Sequence, residues 1–147
     1  MARASLDANV LVYGVDKSDP LKHRAARRII TSAARGDCVI SLQALAEFYY
    51  VVTRKGKLSA VEAREQVNTL RAIFPLALPG AGTLDRAMEA GERFRLGFWD
   101  AMLWAVVREA GVTLLLSDDF EDGQAIEGVR IVNPFARSSA ELGKLLK

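Results

Sequence analysis

Between Gly111 and Ser117 the chain reads Val-Thr-Leu-Leu-Leu, a nearly unbroken apolar run with no charge. A strand with that character is buried on both faces, and a sheet covered on both faces is built from parallel strands whose crossovers are helices. The rest of the sequence supplies those parts. Ala4 to Val10 reads as a first buried strand around Asp7. Leu21 to Ala34 has no Pro or Gly and reads as a helix stopped by Gly36. Cys38-Val39-Ile40 is a short β-branched run. Ser41 opens a helix to Arg54 with Leu42, Leu45, Tyr49 and Val52 on one stripe. Ser59-Ala-Val-Glu62 is a capping-box pattern, predicting a helix to about Ile73. A weak strand follows at Leu76 to Leu78, then helices over Thr83 to Phe94 and Asp100 to Ala110. Val129 to Val132 is the last strand, and Ser138 to Glu141 repeats the capping-box spacing. The expectation is an α/β three-layer sandwich: a central, mostly parallel sheet of four or five strands flanked by helices. One domain is read over 1–147, with 136–147 a C-terminal helical tail.

Composition narrows the chemistry. Of 147 residues, 20 are Lys or Arg and 18 are Asp or Glu, so nucleic acid would be met by a local patch and not by bulk charge. The single cysteine, Cys38, forms no internal disulfide, which points to a reducing compartment. The single histidine, His23, excludes a multi-histidine zinc site. No apolar stretch reaches membrane-spanning length, and the N-terminus lacks the apolar centre of a signal peptide. The expected location is the cytoplasm.

A parallel α/β sheet binds its ligand outside the carboxyl ends of the strands. Acids stand where that rule points. Asp7 lies at the first strand, and Ser117-Asp118-Asp119 follows the Leu114-Leu116 run. Glu47 lies one and a half turns into its helix, and Asp100 is flanked by Phe98-Trp99 and Ala101-Met102-Leu103-Trp104. Singly, each has an ordinary explanation as a turn, cap or solvated helix residue. Converging, they would repel one another and call for a cation. All-oxygen ligands favour Mg²⁺ or Mn²⁺, whose chemistry on carboxylates is mostly phosphodiester hydrolysis.

The order of these pieces resembles the PIN-domain family, in particular VapC-like toxin ribonucleases of bacterial toxin–antitoxin modules. The matching residues are Leu6-Asp7-Ala8-Asn9-Val10-Leu11-Val12-Tyr13, Ser41 with Leu45-Ala46-Glu47-Phe48, Gly97-Phe98-Trp99-Asp100-Ala101-Met102-Leu103, Leu115-Leu116-Ser117-Asp118-Asp119 and Val132-Asn133-Pro134-Phe135. The resemblance implies a metal-dependent endoribonuclease in which Asp7, Glu47, Asp100 and Asp119 hold Mg²⁺ or Mn²⁺. It selects Asp119 as the third residue of a Thr/Ser-x-Asp motif, with Asp118 the alternative. Asn9 and Ser117 then orient the acids or their waters. It also implies an RNA substrate, a cognate antitoxin and a homodimer, with interface residues drawn from Phe48, Tyr49, Val51, Val67 and Leu70 or these residues kept as internal core.

Substrate contacts are drawn from the basic residues, among them Arg27, Arg54 and Arg93. Tyr13, Tyr50 or Phe98 would stack a base, whereas Tyr49, Trp99 and Trp104 read as packing. The competing reading is a non-catalytic module on the same scaffold, for RNA or protein binding. Dehalogenase-like and receiver-domain readings fit poorly: position 9 is Asn where the first needs Asp, and the paired acids of the second are missing.

Overall fold

The computed structural model describes residues 2–146. Its sheet has six strands in the order β3-β2-β1-β4-β6-β5. They are β1 (Ala4–Leu6), β2 (Cys38–Ser41), β3 (Leu76–Ala77), β4 (Leu114–Leu116), β5 (Ala125–Ile126) and β6 (Val129–Val132). All neighbouring pairs are parallel except β5 with β6. The four or five expected strands become six because Ala125–Ile126 turns back through Glu127-Gly128 onto β6. That two-residue strand is too short for any periodicity to reveal. Glu127 and Gly128 both take positive φ, 43° and 87°, which is the tight reversal such a hairpin needs.

Side chains alternate across the sheet, as the pleat requires. Ala4, Leu6, Ile40, Leu114, Leu116 and Val132 enter one core layer, and Val39, Leu115, Val129 and Ile131 enter the other. The first layer is closed by α1 (Ala8–Tyr13), α2 (Pro20–Ala34), α3 (Leu42–Arg54), α4 (Ala60–Ile73) and α7 (Ser139–Leu145). The second is closed by α5 (Ala81–Phe94) and α6 (Phe98–Glu109), which pack on each other. The sandwich therefore has three layers. Two of the N-terminal caps read from sequence form in full: Ser59 with Glu62, and Ser138 with Glu141, each exchange side-chain and backbone hydrogen bonds. At the C-terminus, α7 docks on α2 and buries Leu142. Among the described residues, no helix is long and apolar enough to cross a membrane.

Three expectations are corrected. The first strand stops at Leu6, and the residues read as its continuation form α1, with Asp7 as the N-cap. The buried stripe of α3 is Ala44, Leu45, Phe48 and Val52, so Leu42 and Tyr49 are exposed and Phe48 is core, unavailable to an interface. Leu70 is likewise buried. Trp99, read as packing, is 65% exposed on the first turn of α6.

Candidate active site

The register of the central strands assembles the site. Leu6 pairs with Leu116, so the next residues, Asp7 and Ser117, emerge side by side at the carboxyl end of the sheet. The Asp7 amide still donates to the Leu116 carbonyl at 3.0 Å. Past that point the backbone turns into α1, and the Asp7 carboxylate caps it: Oδ1 accepts the Ala8 amide at 2.6 Å. Oδ2 accepts the Ser117 hydroxyl at 2.5 Å. Both groups are buried, Ser117 completely. A charge at that depth is costly unless neutralised or paired.

Three other elements bring acids to the same end. Glu47 lies midway along α3, which Ser41 starts by accepting the Ala44 amide at 3.0 Å. Asp100 sits in the first turn of α6, where the helix dipole favours a negative charge. Asp118 and Asp119 follow β4, and the Asp119 amide donates to Ser117 Oγ at 3.1 Å. Two side-chain amides steady these acids. Asn9, in the first turn of α1, donates through Nδ2 to Asp118 Oδ1 at 3.0 Å and to Asp119 Oδ1 at 3.2 Å. Gln43, one turn before Glu47, donates through Nε2 to Glu47 Oε1 at 3.0 Å and to the Trp99 carbonyl at 3.0 Å, linking α3 to α6. Gln43 is a site residue that the sequence signals only through its i,i+4 spacing to Glu47.

The electrostatics follow from this crowding. Burial pushes the Asp7 carboxyl up to about 7; the negative charges of Asp119 and Glu47 push the same way, while the Ser117 hydroxyl and the Ala8 amide pull it down. Asp100 is also raised, first by burial and then by the charges of Asp119 and Glu47. The charges of Glu47 and Asp119 thus reach both Asp7 and Asp100. Among the described residues, no Lys or Arg forms an ion pair with any of these four or with Asp118, whereas Asp16, Asp37, Glu109, Asp122, Glu127 and Glu141 all have one. The donor set is hard oxygen with uncompensated negative charge, which suits Mg²⁺ or Mn²⁺. Among the described residues, no three acidic, His or Cys side chains already stand as a closed metal-ligating group. The carboxylates are held within electrostatic reach and would have to draw together on a cation.

The remaining candidates are dispersed. Arg54, at the end of α3, donates to the Tyr50 hydroxyl at 2.6 Å. Arg27 is exposed on α2. Arg93 is not brought to the acids: it pairs with Glu127 at 2.8 Å, beside the β5–β6 turn. That turn leads into Val129, at the opposite end of β6 from Val132, which is in register with Leu116. Tyr13 is occupied by Phe135, ring edge to face at 5.2 Å, with the Lys22 ammonium 5.0 Å above its ring. Cys38 is buried and its thiol is pushed up to about 12 by burial and by Asp37, so it is inert.

A model of the PIN domain matches residues 4–145. No curated protein matches the sequence. Solved structures share the fold at low identity. VapC20 of Mycobacterium tuberculosis, described as a sarcin–ricin-loop-cleaving toxin, is 20% identical with a TM-score of 0.66, covering 86% of this chain and 98% of that one. A toxin–antitoxin complex from Klebsiella pneumoniae is 18% identical with a TM-score of 0.63, covering 89% and 97%. VapBC2 from Rickettsia felis, bound to a DNA fragment from its promoter, is 14% identical with a TM-score of 0.64, covering 87% and 96%.

Proposed function

The chain belongs to the PIN domain family, and on that premise we propose that it is a metal-dependent endoribonuclease, the toxin of a bacterial toxin–antitoxin pair. The observation that carries this reading is the meeting of Asp7, Glu47, Asp100 and Asp119 at the carboxyl end of the sheet with no counter-cation among the described residues. The descriptions of the similar structures, a sarcin–ricin-loop-cleaving toxin and toxin–antitoxin complexes, support the same reading.

In this proposal the four acids hold Mg²⁺ or Mn²⁺. Asp119 is preferred to Asp118 as the fourth because it is the charge of Asp119 that acts on both Asp7 and Asp100. A divalent ion bound there would supply Lewis-acid chemistry, activating water near neutral pH and offsetting charge that develops on phosphorus. The chain's own residues prepare that position. Ser117 and the Ala8 amide fix both oxygens of Asp7 and limit how far burial neutralises it. Asn9 keeps the Asp118-Asp119 segment facing α1, and Gln43 keeps Glu47 beside the start of α6. Arg54 and Arg27 are proposed phosphate contacts.

The proposal reads residues 1–147 as one domain acting in the cytoplasm, as a homodimer, and bound by a cognate antitoxin. Leu42 and Tyr49, exposed in a groove of about 560 Å³ between α3 and α4, are apolar surface available for a protein contact. The experiment is cleavage of RNA by the purified chain with Mg²⁺ or Mn²⁺ and with EDTA, followed by analysis of the ends. Cleavage only with metal, leaving 5′ phosphates and 3′ hydroxyls, is the expected result. Undiminished cleavage in EDTA overturns the metal-dependent mechanism, and no cleavage of any cellular RNA with either ion overturns the nuclease.

A further inference from the structure

Next to the acids lies an open cleft of about 480 Å³ lined by Gln43, Ala46, Glu47, Tyr50 and Trp99. Its two aromatic side chains are unusually free. Trp99 is 65% exposed and Tyr50 57% exposed. Both are nevertheless held in place. Phe98 packs against Trp99 in a T-shaped contact at 4.8 Å, and the Trp99 carbonyl accepts from Gln43. The Arg54 guanidinium lies 5.6 Å from the Tyr50 ring centroid and bonds its hydroxyl. Among the described residues, Arg54 has no acidic partner.

We propose that this cleft is a stacking slot for an unpaired nucleobase of the RNA, next to the phosphodiester presented to the carboxylates; the inference rests on the nuclease reading. Three features favour a nucleotide as the occupant. Glu47 belongs both to the cleft and to the acid cluster, so a base held here is the immediate neighbour of the reacting phosphate. Exposed aromatic faces accept any base, as proteins that grip single strands use them. The unpaired guanidinium at the rim complements the backbone phosphate on either side of that base. Slot and site are joined by Gln43, which bonds one residue of each.

The test uses intrinsic tryptophan fluorescence, because the chain has two tryptophans and Trp104 is buried with its indole nitrogen bonded to the Ile126 carbonyl. A fluorescein-labelled single-stranded oligoribonucleotide of mixed sequence is titrated with wild type, Trp99→Ala and Trp99→Phe in EDTA, where binding is separated from cleavage. The expected results are quenching of the wild-type emission by unlabelled RNA, affinity lowered roughly tenfold or more in Trp99→Ala, and affinity near wild type in Trp99→Phe. Equal affinity in Trp99→Ala, or RNA binding without quenching, overturns the slot and leaves the cleft to a protein side chain. If the wild type cleaves RNA with metal, either result removes the slot alone. If it neither binds nor cleaves RNA, the nuclease reading falls and the slot with it.

Discussion

Ser117 donates its hydroxyl to Oδ2 of Asp7 at 2.5 Å, across the β1–β4 seam and 110 residues apart in the chain. The bond holds the most deeply buried acid of the site partly in its ionised form, against burial that drives it toward neutrality. Ser117→Ala removes that restraint, so the Asp7 carboxyl should titrate at higher pH than in the wild type. Because a metal and a proton compete for the same oxygens, Mn²⁺ affinity near neutral pH should fall roughly 10–100-fold and recover as pH rises. Calorimetric titration with Mn²⁺ across pH checks this; a variant with unchanged affinity and pH profile would remove Ser117 from the account.

Metal-free stability should fall with rising pH, the reverse of a protein held by paired carboxylates. Asp7 is raised from its ordinary value to about 7, so between those two values the folded state holds more protons than the unfolded chain, and stability is lost as pH climbs through the window. Asp100 is raised too and acts in the same sense. Each pH unit crossed in that window costs up to about 1.4 kcal/mol for Asp7. Asp16 and Asp122 are lowered, by bonds to the Ser18 amide and the Asn133 amide respectively, and their contributions are lost only as pH falls into the acid range. The melting temperature in EDTA is therefore expected to be higher near about pH 5.5 than near about pH 8, with Asp7→Asn flattening the difference. A wild-type protein more stable at the higher pH in EDTA would contradict the electrostatic description.

Asn9→Ala should loosen the Asp118-Asp119 segment, since its amide is the side-chain link from that segment to α1. A drop in Mn²⁺ affinity of roughly 10–100-fold is expected, with little change in melting temperature of the metal-free protein. Comparing Asp118→Asn with Asp119→Asn then ranks the two acids: the larger loss is expected at Asp119.

Arg54→Ala should weaken RNA binding and lower its dependence on salt by about one unit of log–log slope, the signature of one lost phosphate contact. Arg93→Ala should leave RNA affinity unaltered and cost about 1 kcal/mol, because it gives up only an exposed ion pair with Glu127 and a cation–π contact with the Phe94 ring. An effect on RNA of equal size at both positions would mean that the basic residues act as diffuse charge.

Much of this arrangement is legible in the sequence. The Val112 to Leu116 run implied a covered parallel sheet, and Val129–Val132 and the Ser59 and Ser138 caps formed where the residues indicated. The carboxyl-end rule led to Asp7, Asp118 and Asp119 without any family knowledge. What was not legible has physical causes. A six-residue helix such as α1 has too few turns to show a period, and its Val-Leu-Val core has strand-like side chains, so tertiary packing decides. On α3, two apolar stripes overlap, and only the packing of α3 on α1 and α4 determines that Phe48 is buried while Tyr49 faces the groove. Trp99 sits among apolar neighbours in sequence, yet it stands in the first turn of α6, where only Phe98 packs on its ring and most of it stays exposed. Arg93 could be separated from the acids only by knowing which end of β6 meets Glu127.

The central claim is that Asp7, Glu47, Asp100 and Asp119 share one divalent cation. The direct measurement is isothermal titration of the metal-free protein with Mn²⁺, for the wild type and for Asp7→Asn, Glu47→Gln, Asp100→Asn and Asp119→Asn. Saturable wild-type binding that each single substitution weakens tenfold or more is the expected result. A wild type that binds no Mn²⁺, or variants that bind it as tightly as the wild type, would contradict the account.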